Sequence, residues 1–125
     1  MKFLMLMIPG VYQAGQRLDA GFVPDPDKVQ QMTQFNEEMG KALKILDLNG
    51  LHPPVTGARV SFSKGKASVT DGPFIESKEV LGGYWLVEAD SKQQVLEWTQ
   101  KCPAEDGDVI EIRQIFGPED FETSN

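Results

Sequence analysis

Apolar and polar positions alternate along this chain in ways that fix most of its elements. Phe3 to Ile8 is apolar throughout: Phe3, Met5 and Met7 point one way and Leu4, Leu6 and Ile8 the other. A strand of that kind is covered on both faces. Pro9 to Pro24, rich in Gly and polar residues, reads as a loop. Asp25-Pro26 then supplies a side-chain N-cap and a proline suited to the first helical position. Val29, Met32, Phe35, Met39 and Leu43 follow at spacings of three and four, opposite Gln30, Gln31, Gln34, Glu37, Glu38 and Lys41. This predicts an amphipathic helix with one buried stripe. Periodicity alone would carry the helix towards Gly50, yet Lys44 to Leu48 reads equally well as a short strand.

The second half is richer in strands. Ala58 to Ser63 and Lys66 to Thr70 alternate around Lys64-Gly65, with Val60, Phe62, Ala67 and Val69 inward. That predicts a hairpin with one wet face. Val80 to Ala89 reads as a long strand, with Leu81, Trp85 and Val87 on one side and Val80, Tyr84 and Leu86 on the other. Ser91 and Gln94 form a capping-box pattern ahead of Val95, Trp98 and Cys102, so a second helix follows, stopped by Pro103. Val109 to Phe116 reads as the last strand. Without the hairpin the order is β-α-β-β-α-β, a ferredoxin-like α+β arrangement. Two helices cover one face of such a sheet, yet two strands are apolar on both. A second copy of the same sheet is the simplest cover for the open face and predicts a sheet-on-sheet homodimer. The competing expectation is a loop of the same chain folded over it.

Composition sharpens this picture. At 125 residues, 40% hydrophobic and 25% charged, the chain fits one globular domain spanning 1–125. A net charge of −7 favours solubility and argues against direct nucleic-acid binding or anionic membrane surfaces. The single cysteine, Cys102, excludes an intramolecular disulfide and suggests a reducing, cytoplasmic setting. The apolar run at Met1 to Ile8 is too short to span a bilayer and lacks a cleavage pattern, so a buried strand explains it better than a signal peptide.

Asp71-Gly72-Pro73-Phe74-Ile75-Glu76-Ser77-Lys78-Glu79, followed by Leu81-Gly82-Gly83-Tyr84, is the most distinctive run. Asp bonding its own backbone, Gly tolerating positive φ and Pro fixing φ make a turn that lets Phe74 dock into the core. As a ligand site, Asp71, Phe74, Glu76, Lys78 and Tyr84 are the candidates. Glu76 and Lys78 share one side of an extended segment and could orient a polar molecule, or form a surface ion pair. Gly82-Gly83 would let a group approach the backbone or let the strand bend. His52, the only histidine, lies in a loop-like Gly50-Leu51-His52-Pro53-Pro54 stretch, where it is either solvated or a partner for Asp71. The sequence leaves any catalytic residue open, with Asp71 and His52 as candidates. One His and one Cys far apart offer no metal-ligand spacing. No phosphate loop or GxSxG elbow occurs, and no cofactor is expected. Cys102, close to a helix C-terminus, is expected to be a buried thiol rather than a nucleophile.

This run resembles the DGPF motif of the YCII-related family, in the pattern DGPFxExKExxGGY. Phe35-Asn36-Glu37-Glu38, Gly50-Leu51-His52-Pro53, Glu97-Trp98 and Cys102-Pro103 extend the likeness over nearly the whole chain. The resemblance implies a dimeric α+β barrel of ferredoxin-like subunits. It also implies a helix ending near Leu43, where the DGPF branch commonly has glycine, with Lys44 to Leu48 a strand. YCII-type proteins have been considered enzymes for a His–Asp pair whose histidine lies on the first helix; the position that looks equivalent here is Met32, so that dyad is absent. Three roles follow as expectations. The chain holds a small-molecule pocket near the DGPF segment, catalytic or only binding. Alternatively it is an interaction module linked to a sigma factor, since relatives of the family occur beside or fused to such factors. Or DGPF is a folding device alone. In the tail, Phe121 among Glu119, Asp120 and Glu122 is either frayed or docked on a partner subunit.

Overall fold

The structure, a computed structural model, describes residues 1–10, 25–72 and 80–122. Six strands and two helices follow the order β1 (Lys2–Ile8), α1 (Pro26–Ala42), β2 (Lys44–Gly50), β3 (Ala58–Ser63), β4 (Lys66–Asp71), β5 (Gly83–Glu88), α2 (Lys92–Thr99) and β6 (Val109–Gln114). Four strands form one antiparallel sheet in the order β2-β5-β1-β6, while among the described residues β3 and β4 pair only with each other. Both helices lie on one face of the larger sheet, so the ferredoxin-like α+β order expected from the sequence is present, with the hairpin inserted between β2 and β5.

Each helix starts and stops for a local reason. The Asp25 carboxylate accepts from the Asp27 amide at 2.9 Å, with Pro26 at the first helical position. At the other end Leu43 turns directly into extended backbone, φ −116°, and its amide donates to the Met39 carbonyl. Leu43 is buried and adds an apolar side chain to the core at the helix end. In α2 the Ser91 hydroxyl accepts from the Gln94 amide at 3.2 Å and Gln94 Oε1 accepts from the Asp90 amide at 3.0 Å. The helix ends at Thr99, and Cys102 lies in the turn beyond it rather than on the helix.

The core is built from alternate strand residues meeting the helix stripes: Phe3 and Met5 of β1, Trp85 and Val87 of β5, Phe35 and Met39 of α1, and Val95 of α2. Each side chain sealed this way contributes about 1.5–3 kcal/mol. Trp85 meets Phe35 edge-on, centroids 6.4 Å apart, and its indole N–H donates to Asn36 Oδ1 at 2.7 Å, so the polar end of the ring is satisfied inside. Val29, expected in the buried stripe, is 49% exposed; it sits in the first turn of the helix, whose buried residues are Phe35 and Met39 further along. The expected strand Val80–Ala89 enters the ladder only at Gly83, after a lead-in where Gly82 bonds both Met7 and Leu51.

The hairpin departs most from expectation. Every residue of β3 and β4 is exposed, so Val60, Phe62 and Val69 stand outside the core formed by the described residues. The turn itself follows the sequence: Lys64 (φ 51°) and Gly65 (φ 77°) are both left-handed, as a two-residue type I′ connection requires. Among the described residues no helix is long and apolar enough to cross a membrane.

Candidate functional site

Among the described residues, neither helix packs on the second face of the four-stranded sheet. Leu4 and Leu6 of β1 and Tyr84 and Leu86 of β5 lie there, facing each other as the cross-strand pairs Leu4–Leu86 and Leu6–Tyr84, and all four are half-buried. Arg113 and Glu111 of β6 flank them on one side, paired to each other at 3.3 Å.

A cluster of polar side chains stands on the other flank. The Tyr84 hydroxyl donates to Asp47 Oδ2 at 2.7 Å. Asn49 Nδ2 lies 3.1 Å from the same hydroxyl oxygen and 3.2 Å from Asp47 Oδ1. The sequence candidates named only Tyr84 of these three. A bulge between Ile45 and Asp47 explains why. Ile45 pairs with buried Val87 on the helix side, and simple alternation would put Asp47 and Asn49 there too. The extra residue reverses the phase, so that Asp47 pairs with Leu86 and Asn49 with Tyr84 on the open side.

The donor and acceptor count defines what this cluster can bind. Tyr84 spends its proton on Asp47, and the Asn49 amide is directed at Asp47 and Tyr84. What remains outward is acceptor capacity: the second lone pairs of the Asp47 carboxylate and the Asn49 carbonyl oxygen. Beside it lies the apolar surface of Leu4, Leu6 and Leu86. The arrangement suits a molecule with a donating or cationic head and an apolar body.

The other sequence candidates fall elsewhere. Asp71 ends β4 and is exposed; His52 is exposed between β2 and a short 3₁₀ turn at Pro54–Thr56. Among the described residues, no hydrogen bond or ion pair joins Asp71 to His52 or to Tyr84. Phe74, Glu76 and Lys78 lie outside the described residues. Gly72 has a clear local role, though not the one expected. It does not adopt positive φ; instead a Cβ there would collide with the Pro54 carbonyl, and its amide donates to the Gly57 carbonyl at 2.8 Å. The glycine therefore ties the base of the hairpin against the turn after β2. Gly83 likewise makes room for protein: a Cβ would lie 3.0 Å from the Asn49 carbonyl of β2.

Met32 packs against the core, its sulfur 3.9 Å from the Cys102 sulfur. Met32 thus lies against a second soft, apolar side chain at the core margin. Burial, reinforced by the Asp108 charge, pushes the Cys102 thiol up to about 11, so it is a neutral thiol at physiological pH. A shallow surface depression of about 320 Å³ lies nearby between α1 and the segment after α2, lined by Gln31, Gln34, Phe35, Glu38, Lys101 and Pro103. It contains none of the candidate residues. Among the described residues no group of three or more His, Cys, Asp or Glu side chains could hold a metal ion.

Residues 2–120 match the YCII-related domain. An uncharacterised protein of Rhizobium meliloti (strain 1021) is 28% identical over 76 residues, covering 61% of this chain and 61% of that protein. The chain thus spans about three-fifths of the length of the curated relative it matches.

Proposed function

The chain belongs to the YCII-related domain family, and on that premise we propose that two copies join through their open sheet faces and enclose a small-molecule site at Asp47, Asn49 and Tyr84. The observation that carries the reading is a hydrogen-bonded polar cluster beside a leucine surface that the helices leave uncovered. Water-exposed, the cluster binds weakly; enclosed by a second sheet, the same carboxylate becomes a strong acceptor for an amine, amide or hydroxyl donor. The ligand is therefore a small amphiphile with a donating or cationic head. Placing the site on the sheet face moves it from the DGPF segment to β2 and β5, with Tyr84 common to both.

A thermal-shift screen of small amines, amides and polyols against the wild-type protein tests this. Compounds that raise the melting temperature of the wild type, but not of Asp47→Ala or Tyr84→Phe, support the site. Equal shifts in all three proteins, or none in a broad panel, refute it. Stoichiometric co-purification of a sigma factor would favour the interaction-module reading instead.

A further inference from the structure

The hairpin and the C-terminal segment present complementary, exposed surfaces. On one face of the hairpin Val60 pairs with Val69 and Phe62 with Ala67, and Val60, Phe62 and Val69 are 52%, 79% and 69% exposed. Within Ala58–Asp71 three cations, Arg59, Lys64 and Lys66, stand against one carboxylate, Asp71, giving +2 in a chain of −7. The C-terminal segment has the opposite character. Phe116 and Phe121 are 75% and 70% exposed, with ring centroids 5.2 Å apart. A 3₁₀ turn at Pro118–Phe121, whose Asp120 carboxylate accepts from the Gly117 amide at 2.7 Å, holds the pair together. Glu119, Asp120 and Glu122 surround it, with no cation from Gly117 to Glu122.

We propose that the hairpin is an arm that docks its Val60–Phe62–Val69 face on the Phe116–Phe121 pair of a second copy, with Lys64 and Lys66 against Glu119 and Glu122. Four features favour a second copy. Exposed apolar patches that need cover are the mark of an interface rather than of a free surface. Strands of six residues reach about 20 Å, far enough to leave their own sheet. The charges of arm and tail are opposite in sign. A two-fold dimer also uses each contact twice, arm on tail and tail on arm, without leaving an open end. The arm rests on the homodimer reading above and adds a second contact outside the sheet faces.

Sedimentation velocity across a dilution series, at low salt, separates the two. Phe62→Ser should weaken the dimer more than about tenfold. Lys64→Glu with Lys66→Glu, and separately Glu119→Lys with Glu122→Lys, should each weaken it about fivefold or more. A protein carrying all four reversals should regain most of the wild-type affinity, since the signs again match. A wild-type dimer indifferent to every reversal overturns the arm and leaves the sheet-on-sheet dimer standing. Reversals that shift the melting temperature of the protomer without altering sedimentation place the contact within one chain, and also overturn the arm. A wild type that remains a monomer throughout overturns both proposals.

Discussion

The two faces of the four-stranded sheet are made by the same strands from similar residues, and they end up in opposite conditions. Phe3, Met5, Trp85 and Val87 are sealed beneath the helices; Leu4, Leu6, Tyr84 and Leu86, their immediate neighbours in sequence, are only half-buried. Strand alternation distributes side chains between faces, but what lies over a face decides what its residues do. The covered face carries the protomer's stability. The other face holds apolar area beside a polar cluster, and we propose that a second copy of the chain completes its burial.

The largest effect should come from truncation under the helices. Phe3→Ala should cost about 3–5 kcal/mol in urea unfolding, because a rigid, close-packed site keeps the cavity. Leu4→Ala, one residue away, should cost about 1 kcal/mol when the protein is dilute and more as concentration rises, if the open face is covered by association. Equal, concentration-independent losses at both positions would erase the contrast between the faces. Asn36→Leu should follow at about 1–3 kcal/mol, since it leaves the Trp85 indole N–H buried without an acceptor.

A smaller, pH-dependent effect belongs to Cys102, which lies against Met32 at the margin of the covered side. Its thiol is raised from 9.0 to about 11 in the folded protein. The folded state therefore disfavours the thiolate that the unfolded chain readily forms above pH 9. Wild-type stability should hold below pH 9 and fall, relative to Cys102→Ala, as the pH rises towards 11. Parallel pH profiles for the two proteins would contradict this. The smallest stability change is expected at Tyr84→Phe, within about 0.5 kcal/mol, because its hydroxyl bonds on an exposed face. Its loss should appear in ligand response instead.

The elements were legible where one physical signal dominated. Alternation located β1, the hairpin and the centre of β5; Asp25-Pro26 and Ser91 marked both helix starts because an N-cap needs only one side chain and its neighbours. Periodicity could not choose between helix and strand at Lys44 to Leu48, and the resemblance to DGPF proteins chose strand correctly. What stayed hidden depended on register. The bulge at Leu46 has no signature in the residues themselves, yet it turns Asp47 and Asn49 towards Tyr84. The role of Gly72 was hidden for a related reason: it answers to Pro54, far along the chain, rather than to its own φ. The hairpin's alternation showed an apolar side but not whether its own protomer would cover it.

In the proposed assembly a second copy completes the open sheet face. Sedimentation equilibrium of the wild type and of Leu6→Lys, each at several micromolar concentrations, tests it directly, with far-ultraviolet circular dichroism confirming that both are folded. Dimeric wild type with folded, monomeric Leu6→Lys is the predicted result. A wild type that sediments as a monomer throughout, or a Leu6→Lys protein that dimerises as tightly as the wild type, would contradict it.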